Sequence, residues 1–162
     1  MSNEVTLPVY EWAVAEVGDA ALPEEHPVDP ARIALYVNTS GDSNPLFTDE
    51  KLARSLGFDG LKVPVSMAVR MAPGRRHALM RRKGYMHPTR PTPFARWQCQ
   101  FFAPVKPGEV ITSECRLHEK YEKRGRKYVV WKVTGRNQRG EKVVEYLWTN
   151  SWEGSKPEDR TR

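Results

Sequence analysis

The chain has 162 residues, 39% hydrophobic and 28% charged, with a mean hydropathy of -0.66 and a formal charge of +6. That length suits one domain with a core of its own, and no run of about 18 apolar residues is present to read as a membrane span. The opening Met1-Ser2-Asn3-Glu4 has neither a basic head nor an apolar stretch, so no secretory signal is expected, and Cys99 and Cys115 read as two thiols of a reducing cytoplasm.

Residues 9–17 alternate well enough for an opening strand, with Tyr10, Trp12 and Val14 on one face, and 18–27 read as a loop. Asp29-Pro30 is a helix start, Asp as N-cap and Pro in the first turn; Ile33, Tyr36 and Val37 form its apolar stripe and Ser40-Gly41 stops it. Thr48 is the next expected N-cap, with Asp49 and Glu50 in the first turn. Leu52, Ala53 and Leu56 should face inward, with Gly57 closing that helix. Residues 65–71 are apolar at helical spacing; Pro73-Gly74 interrupts them, and a basic piece over 75–83 continues the pattern. Three prolines make 85–93 an extended loop.

From Phe94 the period changes to two, giving strands over 94–103, 109–122, 127–136 and 142–152. Pro104 to Gly108, Arg124-Gly125 and Arg139-Gly140 make the turns between them. One strand, three helical segments and a four-strand meander define an α+β fold, with the sheet wrapping the apolar central helix. The domain is read as 1–152 and a polar tail as 153–162.

Chemistry concentrates in Ser40-Gly41-Asp42-Ser43-Asn44-Pro45-Leu46-Phe47, a tight loop holding one carboxylate and one carboxamide. Taken alone it is also good turn chemistry, since Asp and Asn bond their own backbone. The loop resembles the signature of the MaoC-like enoyl-thioester hydratases and dehydratases, roughly G-D-x-N-P-x-H. Tyr36, Pro45, Asp49 and Ala53 fall where that family tends to have them. Phe58-Asp59-Gly60-Leu61-Lys62-Val63-Pro64 resembles its run into the central helix, and Pro104-Val105-Lys106-Pro107-Gly108-Glu109 its strand-turn. The likeness covers roughly residues 30–150.

The resemblance implies a single hot-dog domain of about five antiparallel strands around a central helix. It also implies a lyase that adds water to C3 of a trans-2-enoyl thioester or removes it. In the family an Asp–His pair activates that water; here Asp42 is present and Phe47 fills the His position. Asp42 is then the expected base, Asn44 its orienter, and Phe47 and Tyr36 line the substrate groove. Backbone N–H groups of Val65 and Ser66, at the start of the central helix, are expected to hold the thioester carbonyl. Two alternatives stay open. One is a non-catalytic acyl-binding subunit that pairs with an active MaoC-like partner. The other is a hot-dog thioesterase or tailoring enzyme of polyketide or fatty-acid-derived biosynthesis.

Ten of the 26 basic residues fall in 60–108, a stretch without Asp or Glu, while the other 16 face all 20 acidic ones. The positive charge therefore belongs to one segment, and such a patch attracts polyanions. Arg75, Arg76, Arg81, Arg82 and Lys83, just beyond the central helix, are the expected contacts for the phosphates of coenzyme A or of a carrier-borne phosphopantetheine. No cofactor of the protein's own is expected, because the substrate arrives on its carrier. His26, His77, His87 and His118 are scattered, so no metal site is read. No nucleic-acid motif accompanies the basic stretch. The expected partners are an acyl thioester, an acyl carrier protein, and a second hot-dog chain in a homodimer or heterodimer, since such sheets pair edge to edge. The expected location is the cytoplasm.

Overall fold

The structure, a computed structural model, describes residues 7–88 and 90–152; the polar tail expected over 153–162 lies outside the described residues. Five antiparallel strands form one sheet: β1 (Glu24–Pro27), β2 (Phe94–Phe101), β3 (Val110–Lys123), β4 (Arg126–Asn137) and β5 (Lys142–Ser151), in the order β1-β3-β4-β5-β2. The helices are α1 (Pro30–Ser40), α2 (Glu50–Ser55), α3 (Ala68–Met71) and α4 (Arg76–Arg82). Three-residue 3-10 turns precede α2 and α3, at Pro45–Phe47 and Val65–Met67. This is the expected α+β hot-dog.

The β3–β4 hairpin forms where Arg124 and Gly125 both take positive φ (53° and 72°), the twist that lets a two-residue loop join twisted strands. Period two then decides which face is buried. Ile111, Ser113, Cys115 and Leu117 of β3 point to the helical side, as do Trp131 and Val133 of β4. A bulge between Leu117 and Glu119 shifts the register beyond it.

Helix α1 starts as its residues dictate: the Asp29 carboxylate accepts the Ala31 N–H at 2.9 Å, and Ile33 and Val37 are buried. Gly41, at φ 66°, ends it by donating its N–H to the Val37 carbonyl. The cap of α2 is Asp49, whose carboxylate takes the Leu52 N–H at 2.9 Å; Thr48 instead closes the preceding 3-10 turn. Of the three residues expected inward on α2, Ala53 is buried, Leu52 half-buried and Leu56 exposed.

The strand expected over 9–17 is absent. Val14 and Ala15 donate to the Glu11 carbonyl, curling the chain into turns. Tyr10 is buried with its hydroxyl on Asp19, and Lys120 donates to the carbonyls of Trp12 and Ala15. The opening strand is β1, further along, where Glu24–Pro27 pairs with 110–113 and covers that end of β3. An aromatic-rich alternating run supplies β-propensity but no sheet edge, and the edge lies elsewhere.

The central helix is in pieces, and the sheet supplies the reason. Pro73-Gly74 cannot continue a helix, and the carbonyls this frees are satisfied from below. Tyr146 Oη donates to the Ala72 carbonyl at 2.7 Å and Ser113 Oγ to that of Pro73 at 3.2 Å. Gly135 on β4 makes room: a Cβ there would lie 2.9 Å from that of Ala72. Residues 72–76 thus lie directly on the sheet, with α3 on one side and α4 on the other. No helix among the described residues is long and apolar enough to cross a membrane.

Candidate functional site

The 40–47 loop is built by its own side chains. The Asp42 carboxylate accepts the Asn44 N–H at 3.1 Å, and the Asn44 carboxamide oxygen accepts the Leu46 N–H at 3.0 Å, which starts the 3-10 turn. Asp42 is exposed and does not line the cavity beside the loop, in contrast to the inward aim expected of it. Its carboxylate is directed to its own turn, because a Gly-Asp-x-Asn-Pro sequence satisfies its backbone most cheaply that way. Asn44, though also exposed, does reach a cavity, and Phe47 is half-buried on its wall.

That cavity has a volume of about 310 Å³. Its apolar wall includes Phe47, Val63, Val65, Met71, Phe101 and Val144, from the loop, the start of the central segment, the end of β2 and β5. Among the described residues no His, Asp or Glu lines it; Asn44 and Lys62 are the polar side chains present. Lys62 is drawn off by Asp59, at 2.7 Å, and sits over the Phe58 ring. The Val63 N–H bonds the Val105 carbonyl and so pins the segment to the turn after β2. Val65 and Ser66, both exposed, open the 3-10 turn, and neither N–H donates to another segment among the described residues. Of the two, Val65 lines the cavity.

Tyr36 belongs to a different cavity, of about 390 Å³, with Arg32, Met67 and Arg70. Its ring carries the Arg70 guanidinium 6.0 Å from the centroid. Met71 lines both cavities, and Tyr36 lines only this one of the two.

The five basic residues expected to act together are split by α4. Arg82 donates to the Ala20 carbonyl, and Lys83 reaches Asp19 at 2.6 Å and Glu16 at 3.4 Å, so these two hold the 16–20 segment. Arg75, Arg76 and Arg81 border an open cleft with His77 and Trp148. Arg75 pairs with Glu24 at 2.7 Å. Arg76 is half-buried: it donates to the Asn150 carboxamide oxygen at 2.8 Å and lies 4.4 Å from the Trp148 ring centroid. Burial lowers its pKa, and burial with neighbouring guanidinium groups lowers those of His77 and His87. The thiols are free; burial raises Cys115 to about 12, which leaves it inert.

Sequence reasoning passes over Phe101, Val144 and Asn150, and reads Trp148 as a core or interface aromatic rather than a ligand contact. The legible signal for the last two was the β5 row Tyr146, Trp148, Asn150, in which a carboxamide takes an inward position beside two aromatics.

A five-stranded antiparallel sheet with a central helical segment laid on it is the hot-dog fold. A family model described as FAS1-like, dehydratase domain region, matches residues 15–146. This covers most of the chain, and the chain belongs to that family. Solved structures agree in fold. The HadBC (3R-hydroxyacyl-ACP dehydratase) complex from Mycobacterium tuberculosis superposes with a TM-score of 0.70 at 21% identity, covering 83% of this chain and 96% of that one. A MaoC-like dehydratase from Rhodospirillum rubrum gives 0.68 at 21% identity, over 88% and 95%. The R-hydratase PhaJ1 from Pseudomonas aeruginosa gives 0.64 at 23%, over 90% and 86%. No functionally curated protein matches the sequence.

Proposed function

We propose that this chain is the acyl-thioester-binding half of a hydratase/dehydratase dimer, and that a MaoC-like partner supplies the acid–base pair. The carrying observation is the cavity beside the 44–47 turn: apolar, with Val65 of the first turn of the central segment on its wall and, among the described residues, no imidazole or carboxylate there. Phe47 stands where the family pattern places His, and Asp42 is committed to its own turn. An enoyl chain would lie along Val63, Phe101 and Val144. The Val65 and Ser66 N–H groups would hold the thioester oxygen as charge develops on it during addition of water to C3. The substrate would bring its own coenzyme A or phosphopantetheine.

Edge strand β2 supports pairing. Phe94, Trp97 and Phe101 form an exposed aromatic row on its helical side, while the alternate residues Arg96, Gln98 and Gln100 are polar. An open edge with one apolar row is a surface that another sheet completes. Phe101 also lines the cavity, so a partner seated there would border the acyl site. The HadBC dehydratase is itself a complex.

The test follows loss of enoyl absorbance of a crotonyl thioester. The chain alone, wild-type or Phe47→His, is expected to give no turnover, and adding a MaoC-like partner chain is expected to give turnover. A second reading keeps Asp42 as the base, favoured by its bond to the residue that reaches the cavity. Turnover by the chain alone that disappears in Asp42→Asn would establish that reading and refute the first.

A further inference from the structure

Arg76 is a half-buried cation without a counter-ion. It donates to the Asn150 carboxamide oxygen and lies over the Trp148 ring, and among the described residues no carboxylate pairs with it. A guanidinium stays protonated, and withdrawing it from water is costly unless something negative faces it. The fold holds it in place all the same. Asn150 is itself buried and anchors its amide on the Thr92 carbonyl at 2.8 Å. Arg75 and Arg81 border the same cleft, Arg75 already has Glu24, and among the described residues no Asp or Glu lines it.

The cleft is continuous with the open edge of the sheet. Trp148 on β5 stands opposite Trp97 of β2, and its ring centroid lies 6.4 Å from that of Phe94. Phe94 and Trp97 belong to the exposed aromatic row of that edge. Strand β2 contains one charged residue, Arg96, and it too is basic. A chain seated on the row therefore meets the guanidinium groups beside it. A two-fold pair of identical chains uses the same patch twice. This chain would then bring aromatic rings and cations to the interface from both sides, and a carboxylate to face Arg76 from neither.

We infer that the cleft of Arg76 and Arg81 receives an Asp or Glu side chain of a different hot-dog chain seated on the aromatic row of β2, and that the same cations disfavour pairing with a second copy of this chain. The inference rests on the pairing reading above and names the charge that the partner must carry. Trp148 and Asn150 fix the plane of the Arg76 fork, which leaves N–H groups for a bidentate bond to a carboxylate. The aromatic row supplies apolar contact to any partner, and the buried cation makes the choice among partners.

Sedimentation of the chain tests this without substrate or turnover. Its failure is therefore separate from failure of the acyl-binding reading, which the crotonyl thioester assay decides. Self-association of the wild type is expected to be weak at about 50 mM salt and to tighten as salt screens the like charges. Arg76→Met should tighten it about tenfold at low salt, and Arg81→Gln, an exposed change, about threefold. Arg82→Gln should leave it unchanged, since that side chain holds Ala20 instead. The probe for an acidic partner is a copy of this chain carrying Arg76→Glu and Arg81→Glu. Mixed with wild type it should form a one-to-one pair about tenfold tighter than either copy with itself, loosening as salt rises. Arg81→Glu alone should show the same preference more weakly, which keeps the test in force where the double change does not fold. A wild-type chain that pairs tightly with itself at low salt and loosens with salt overturns the inference and gives the cleft to a second copy. Neutral variants that self-associate no better than wild type, or a reversed copy without preference, overturn it as well. So does wild-type self-association raised by about 1 mM inorganic phosphate as much as by high salt, because a small anion would then be the occupant.

Discussion

Placing one methyl group on Gly135 should lift the central segment off the sheet. In Gly135→Ala the new Cβ would lie 2.9 Å from Ala72 Cβ, 2.9 Å from Val144 Cγ1 and 3.2 Å from Ile111 Cγ2. Ala72 cannot turn away, since it is fully buried and its carbonyl is held by Tyr146 at 2.7 Å. Overpacking of this kind costs about 1–3 kcal/mol. Against that, alanine orders at a gain of roughly 0.4–1 kcal/mol where its backbone angles are allowed. The net expectation is a loss of about 1–2 kcal/mol, or roughly 2–8 °C in Tm at ~2–4 °C per kcal/mol for a chain of this size. Thermal unfolding followed by circular dichroism reads the shift. A cycle with Ala72→Gly isolates the contact: the double variant should recover about 1 kcal/mol relative to additivity. A Tm that stays level or rises in Gly135→Ala, or strict additivity in the cycle, would refute the claim that this approach seats the segment. Because the same segment carries Met71 on the apolar cavity, acyl-thioester binding should weaken as well.

Tyr146→Phe leaves the buried Ala72 carbonyl without its donor and should cost about 1–3 kcal/mol in denaturant unfolding, with no change in the pH profile near neutrality. Glu145 loses by burial but gains more from Lys132 and Lys142, which together hold its pKa down at about 2. Its folded value lies below its unfolded one, so its contribution is complete above about 4.5 and disappears as pH falls towards about 2; Glu145→Gln should flatten the acid limb of a stability–pH curve across that window. Trp97→Glu puts a charge in the exposed aromatic row of β2 and should shift the sedimenting species towards the single chain without lowering Tm by more than about 2 °C.

Much of the architecture was written locally. Asp29-Pro30 and Gly41 bound α1 because a carboxylate, a ring-locked φ and a missing Cβ act within a few residues of themselves. The four later strands follow from period two and from glycines at their turns, which need no distant partner to be recognised. The break at Pro73-Gly74 was equally plain, because proline removes a donor wherever it stands.

What tertiary structure decided is where those pieces face. The run at 9–17 alternates like a strand, yet strand status belongs to whichever segment finds an unpaired edge, and Glu24–Pro27 found that of β3. The Asp42 loop reads equally well as a catalytic turn and as a self-capping one; the structure adds that the exposed carboxylate accepts the Asn44 N–H at 3.1 Å. Five basic residues in nine looked like one patch, but a helix sends neighbours to opposite sides, so Arg82 and Lys83 hold the N-terminal segment while Arg76 and Arg81 face the cleft. Trp148 and Asn150 join Arg76 across a long stretch of chain, and a contact between distant residues leaves no periodicity in the sequence for either partner to show.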